Sequence, residues 1–215
     1  SNVRTPATYD ATKALPHLVV FSPAGVKEPS QTEQFTQLTP SATKRGYVVT
    51  YVNHFAPNDI NVLKDVAKVA TQVASKWCID EKRLYVTGHS DGGSVASIMA
   101  AYEFMPVAAV APSAAGINKQ FVDGTKCPSH ATPVMVIQSK GDTLFPPPDF
   151  GQAPATWWGD CAKCAAMTTV QTNGCVVRGG CSDGVEVQYC ETTGAHGKWY
   201  GLNEDMLDFF DRFAL

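Results

Sequence analysis

The chain has 215 residues, 44% of them hydrophobic, and 17 Lys and Arg stand against 20 Asp and Glu for a formal charge of −3. That is enough apolar material for one sizeable core, so residues 1–215 are expected to form a single domain. No basic tract is dense enough to hold a phosphate backbone or an anionic lipid surface, and the longest apolar stretches, such as VAAVAPSAAG (107–116), fall well short of the roughly 18 to 20 residues of a membrane span; no nucleic acid and no membrane are expected as partners, and the reading is of a soluble monomer.

Apolar runs of strand length occur in chain order at HLVVFS (17–22), GYVVTYV (46–52), RLYVTG (83–88), VAAVAP (107–112), PVMVIQS (133–139) and VEVQYCE (185–191). Most are rich in Val and bounded by turn residues. Between them, DINVLKDVAKVATQVASKW (59–77) sets Ile60, Leu63, Val66, Ala67, Ala70, Val73 and Trp77 near helical spacing, and the stretch after Ser90 and the closing LNEDMLDFFDRFAL also read as helices. Strands alternating with helices imply parallel pairing through right-handed crossovers, and strands this apolar are covered on both faces. The fold class is α/β, a mostly parallel central sheet with helices on both sides. The only long irregular segment, about 143–184, reads as an ordered, Cys-rich excursion above the sheet.

Of seven cysteines, five fall between Cys161 and Cys190. This density points to disulfides, hence to a secreted, extracellular protein. A four-thiolate zinc site from Cys161, Cys164, Cys175 and Cys181 is the competing reading, but only one short Cys-x-x-Cys loop is present, so no metal is expected. The chain opens Ser-Asn with neither an initiator Met nor an apolar leader, and a mature or trimmed chain, with any export signal already gone, is expected.

The run LYVTGHSDGGS (84–94) ends a strand on a turn of small residues. A parallel sheet presents ligands beyond the carboxyl ends of its strands, and Ser90 sits there. Gly88 and Gly92 remove side chains that would collide in a sharp strand-to-helix turn, which holds the Ser90 hydroxyl up on a strained backbone at the positive end of the next helix. A serine hydroxyl is a weak nucleophile that needs a base, itself oriented by a carboxylate. VMVIQSKGD runs a strand directly into Asp142 at the same edge, whereas Asp149 and Asp160 lie farther out. Of the five histidines, His17 and His130 precede strands at the opposite end, His89 lies inside the elbow pointing away, and His54 is at the correct edge but before the serine. His196, in TTGAHGKW after the last strand, satisfies both edge and order.

These segments resemble the α/β-hydrolase superfamily of serine esterases, and within it the secreted polyhydroxybutyrate depolymerase and feruloyl esterase group. WCIDEKRLYVTGHSDGGSVASIMA is similar to that group's approach to its serine elbow, PVMVIQSKGDTLFPP to its acid strand, CSDGVEVQYCETTGAHGKWYG to its cysteine-bearing approach to the histidine, and DMLDFFDRF to its closing helix. The resemblance, which runs from about residue 14 to the end, implies Ser90 as nucleophile, Asp142 as acid and His196 as base. Two departures stand out. Family members follow the first core strand with a His-Gly pair, where this chain has FSPAGV; Pro23 has no N–H. The oxyanion donors expected are therefore the amide of Asp91 and one from Ser22, Ala24 or Gly25, with Ala24 favoured. The outer strands that begin this fold also look shortened or absent.

Cys78 and Cys127 both lie shortly before core strands at one end of the sheet, where a bridge between them would tie the floor opposite the active site; the other five, if they form two bridges, would staple the His196 loop with one thiol over, and the sequence leaves the connectivity open. Trp157, Trp158 and Trp199, with His54, are the candidate substrate-binding residues, since indoles offer broad faces to sugars, aryl acids or polyester chains. The function expected is a cofactor-free carboxylic-ester hydrolase acting through an acyl-enzyme on an ester substrate, polymeric in the case of a polyester or plant polysaccharide. An acetyl-xylan or other carbohydrate esterase, and a catalytically silent polysaccharide-binding module, are the alternatives.

Overall fold

The computed structural model describes residues 1–166 and 169–215. Its strands are β1 (Asn2–Arg4), β2 (Leu15–Phe21), β3 (Val48–Val52), β4 (Ile79–His89), β5 (Ala109–Ser113), β6 (Val134–Ser139), β7 (Thr169–Val170), β8 (Cys175–Arg178) and β9 (Val187–Thr192). Its helices are α1 (Pro29–Thr36), α2 (Leu38–Lys44), α3 (Ile60–Val66), α4 (Val69–Ala74), α5 (Asp91–Ala101), α6 (Lys119–Asp123), α7 (Ala153–Cys161) and α8 (Asn203–Phe210). The strands form one sheet in the order β1-β3-β2-β4-β5-β6-β9-β8-β7. The middle six pair in parallel, and β1, β8 and β7 add antiparallel edges.

Side-chain alternation along the strands builds two cores. One face carries Val19, Phe21, Val48, Leu84, Val86 and Val134 against α3, α4, α5 and α7; the other carries Leu18, Val20, Val49, Tyr85, Met135 and Ile137 against α2 and α8. The expected α/β architecture with helices on both faces is therefore the one observed.

Several local readings are corrected. The helix expected over 59–77 is two, because Lys68 N–H bonds back to Asp65 O at 3.1 Å, a three-residue step that tightens the turn and keeps Val69 and Val73 in line with buried Leu63 and Val66. The shortened amino edge survives as three-residue β1, antiparallel to β3. The segment 143–184 is less irregular than its composition suggests: a π-helical turn at Pro148–Gln152 runs into α7, and β8 and β7 extend the sheet beyond β9. Residues 167 and 168 of that segment lie outside the described residues.

The Cys78–Cys127 bridge does not form. Cys127 joins Cys161, Cys164 joins Cys181, Cys175 joins Cys190, and Cys78 is a free thiol. Strand order explains this: β5 lies between β4 and β6, and two strand spacings are on the order of 10 Å, beyond the reach of one disulfide. Cys127 instead follows α6, which packs on α7, where Cys161 ends the helix. Cys175 and Cys190 are direct cross-strand partners. With sequence separations of 34, 17 and 15 residues, chain entropy alone assigns each bridge roughly 3 to 4 kcal/mol. Among the described residues no helix is long and apolar enough to cross a membrane.

Two histidines are sealed in the fold. His17 stands inside β2, fully buried, with Nε2 against Thr50 Oγ1 at 2.8 Å, and burial pushes its pKa down to about 4. His89, at the end of β4, is pushed down to about 4 by burial first, partly opposed by its bond to the His196 carbonyl. Unfolded, both titrate near 6.5, so between pH 6.5 and 4 the unfolded chain binds more protons than the folded one. Their stabilisation is complete above that window and is lost as pH falls through it. The unfolding free energy from urea denaturation is expected to drop between pH 7 and 4.5, by up to about 3 kcal/mol for each histidine; a value unchanged over that range would contradict the burial of these rings.

Candidate active site

β4 delivers His89 and Ser90 to the carboxyl edge of the sheet, and α5 starts at once with Asp91. Ser90 sits at φ 58°, ψ −120°, a left-handed backbone that an L-residue holds at a cost of about 1–3 kcal/mol. Close approach enforces it. A Cβ on Gly92 would lie 2.1 Å from Phe21 O and one on Gly88 would lie 2.5 Å from Gly92 C, so β2, β4 and α5 meet backbone to backbone. The Ser90 N–H donates to Ser113 O of β5 at 3.0 Å, which fixes the elbow from the other side.

Asp142 leaves β6 in a tight turn. Its Oδ1 accepts from the amides of Leu144 and Phe145 at 3.0 and 2.8 Å, which aims Oδ2 at His196 Nδ1, 2.7 Å away. The His196 Nε2 lies 2.8 Å from Ser90 Oγ. Asp142 is 2% exposed and Ser90 is 9% exposed. Because a carboxylate can only accept, Nδ1 carries the proton and Nε2 is left as an acceptor for the serine hydroxyl.

The loops bearing Asp142 and His196 are clamped to each other. Lys140 N–H donates to Thr192 O at 3.0 Å. Ser139 Oγ donates to Gly194 O at 2.6 Å and accepts from Gly141 N–H at 3.1 Å. A Cβ on Gly141 would stand 2.6 Å from Gly194 O, so only glycine permits this contact. Phe145 sets its ring perpendicular to His196 at 4.9 Å and stacks on Phe150 at 4.8 Å. Tyr200 lies behind; burial first and the Asp142 charge second push its phenol up to about 12.

Around the serine, the amide of Asp91 opens α5. Just after the end of β2, which meets α5 at Gly92, residues 23–26 form a turn, Val26 N–H reaching Pro23 O at 3.4 Å; Ala24 is exposed and its amide has no hydrogen-bond partner among the described residues. Ser22 is turned inward, donating to Val52 O at 2.5 Å and accepting from Thr32, so its hydroxyl is occupied. His54 is tied to the residue after the serine, its Nε2 2.9 Å from Asp91 Oδ2.

Of the three tryptophans expected to form an aromatic wall, Trp158 is placed elsewhere. Trp158 is 2% exposed in the core and cannot offer a face to a ligand; Trp157, edge-on to it at 4.7 Å, packs half-buried on the same core. Both belong to α7, whose buried line is set by Pro154, Ala155, Trp158 and Gly159. Trp199 is pinned through its indole N–H to Asn203 Oδ1 at 2.6 Å and packs against His89 and Phe35. The apolar surface at the rim comes instead from Leu144, 59% exposed, next to Phe145. His89, Ser113, Ser139, Phe145 and Tyr200 were not singled out as site residues from sequence; only the position of His89 inside the elbow carried a signal.

Among solved structures, an acetyl xylan esterase from Aspergillus awamori superposes with a TM-score of 0.76 at 14% identity, covering 97% of this chain and 92% of that one. A substrate-bound fluorophosphonate-binding serine hydrolase of Staphylococcus aureus gives 0.65 at 13% identity, covering 97% and 91%. The chain has the α/β-hydrolase fold. Residues 25–114, which include the Ser90 elbow, match the family model described as acetyl xylan esterase (AXE1). Feruloyl esterase B of Piromyces equi is 26% identical over 242 residues, covering 99% of this chain and 45% of the relative, so the chain spans about half that protein's length. In its fold and in these matches, then, the chain resembles esterases.

Glycine at the elbow is a steric requirement that substitution can test. Gly92→Ala is expected to cost about 3 kcal/mol or more, or to prevent folding, because the colliding atom is backbone. Gly124→Ala is the control, since its Cβ would meet nothing closer than 3.6 Å. Urea denaturation finding the two equally stable would contradict the packing of β2, β4 and α5.

Proposed function

We propose that the chain is a carboxylic-ester hydrolase that works through a serine acyl-enzyme on acetylated or feruloylated plant polysaccharide. The observation that carries this reading is the line from Asp142 Oδ2 to His196 Nδ1 at 2.7 Å and from His196 Nε2 to Ser90 Oγ at 2.8 Å. Ser90 Oγ attacks the ester carbonyl while its proton passes to His196 Nε2. Asp142 keeps the imidazole in the tautomer that can accept and stabilises the imidazolium that forms. The tetrahedral oxyanion rests on the Asp91 amide, with the Ala24 amide as second donor, near the positive end of α5. His196 then protonates the leaving alcohol, and a water that gives its proton to the same nitrogen releases the acid. No cofactor or metal enters these steps.

The family match and the named activities of the relatives support the carbohydrate-ester reading over a polyester one. The apolar rim of Leu144 and Phe145 favours an acyl group with apolar bulk, which suits an aryl acid and keeps the hydroxybutyrate polymer as a second reading. We read the chain as one catalytic domain acting outside the cell as a monomer; three disulfides support the compartment.

With 4-nitrophenyl acetate a burst of 4-nitrophenol stoichiometric with protein is expected. Ser90→Ala should lower kcat about a million-fold, to background, and Asp142→Asn about ten-thousand-fold. Acetylated xylan, methyl ferulate and hydroxybutyrate oligomers compared by kcat/KM then rank the substrates. A wild-type protein that binds polysaccharide but turns over none of these esters would overturn the enzyme reading in favour of a binding module.

A further inference from the structure

His89 is the residue that Ser90 follows, and its side chain turns away from the serine into the protein. Its ring is fully enclosed: Phe35, His196, Trp199 and Tyr200 pack around it with centroids 5.2, 5.4, 6.0 and 5.6 Å away. Both nitrogens are used. Nε2 lies 2.6 Å from the backbone carbonyl of His196, and Nδ1 lies 3.1 Å from Ser113 Oγ. A carbonyl oxygen only accepts, so Nε2 carries the proton, and neutral imidazole then accepts at Nδ1 from the serine hydroxyl.

The consequence is a closed circuit. Ser90 N–H binds Ser113 O at 3.0 Å, Ser113 Oγ binds His89, His89 binds the His196 carbonyl, and His196 Nε2 returns to Ser90 Oγ at 2.8 Å. Asp142 fixes the far nitrogen of the His196 ring but not its main chain. Among the described residues, the main chain of that turn is held by two outside contacts of side chains, Ser139 Oγ on Gly194 O and His89 Nε2 on His196 O, and only the second reaches the base itself.

We infer that His89 is a positioning residue for the reaction proposed above: its Nε2–H, by holding the main-chain carbonyl of His196, sets the separation between the His196 imidazole and the Ser90 hydroxyl. The inference rests on that proposed reaction for its kinetic readout, but the geometry it describes stands apart from it. It also gives a chemical reason for imidazole at this position. A ring that donates at one end and accepts at the other spans from β5 to the His196 turn, which no aliphatic side chain does. Glutamine reproduces the donor at the distance of Nε2; leucine fills similar space with no donor.

Three variants test this. In His89→Leu, kcat for 4-nitrophenyl acetate is expected to fall about 10- to 100-fold with KM within about threefold, as expected for loss of alignment, while His89→Gln stays within about fivefold of wild type. Ser113→Ala, which removes only the bond to Nδ1, falls between them. Amide hydrogen exchange supplies a readout independent of turnover: residues 193–200 should exchange faster in His89→Leu and near the wild-type rate in His89→Gln, with β4 and α5 unchanged. Wild-type-like kcat and exchange in His89→Leu would overturn the positioning role, as would equal defects in the Leu and Gln variants. Should His89→Leu not fold, His89→Asn, whose amide is too short to reach the His196 carbonyl, takes its place against His89→Gln with the same two outcomes. An inactive wild type would defeat the esterase reading, and the exchange pattern alone would then decide whether His89 holds the turn.

Discussion

The structure turns on a backbone contact: β2, β4 and α5 approach so closely at Gly88 and Gly92 that no side chain fits between them. Ser90 is bent to φ 58° at that crossing. Such a conformation persists only when its surroundings over-determine it, and here they do. The Ser90 amide is bonded to β5, and α5 is buried from Gly92 to Ala101, with Gly93, Ser94, Ala96 and Ser97 keeping it low on the sheet. The strain is therefore offset by the burial of an entire helix. What results is a hydroxyl at the carboxyl edge of the sheet with the first amides of a helix beside it.

The other two members reach that hydroxyl through strand order. β6 and β9 are parallel neighbours, though the long segment holding α7, β7 and β8 separates them in the chain. Asp142 and His196 thus emerge side by side, and the Ser139–Gly194 clamp joins their loops before either side chain is considered. β5 fills the gap between β4 and β6, and its last residue, Ser113, touches both the nucleophile's amide and His89. The bridges act one layer farther out. Cys175–Cys190 locks β8 to β9 just ahead of the His196 turn, while Cys127–Cys161 and Cys164–Cys181 fasten the carboxyl end of α7 and the residues that follow it. Arg178 adds a polar staple there: its guanidinium donates to the carbonyls of Thr156, Cys164 and Ala165 and pairs with Asp160 at 2.9 Å.

The central strands were legible because each is apolar on both faces, and the elbow because it needs small residues at fixed places. The positions of Ser90, Asp142 and His196 followed from edge and order, and the geometry brings the three together. Short elements were not legible. α1, α2 and α6 are five to eight residues long with few apolar positions, and β8 is four residues framed by Cys and Arg. The pairing of Cys127 depended on which strand lies between which, knowledge that a linear chain does not hold. Trp158 misled for a related reason: an indole suits a core and a binding wall equally, and burial decides. His89 was hidden because its partners, Ser113 and the His196 carbonyl, lie 24 and 107 residues away.

The most direct test of the assembled site is covalent labelling with an alkyl fluorophosphonate followed by peptide mass mapping. One equivalent is expected on Ser90, formed at a rate that falls at least about a thousandfold in His196→Ala, because the serine reacts only when the imidazole takes its proton. Labelling on any other residue, or on Ser90 at the same rate without His196, would contradict the arrangement of nucleophile and base on which the whole reading stands.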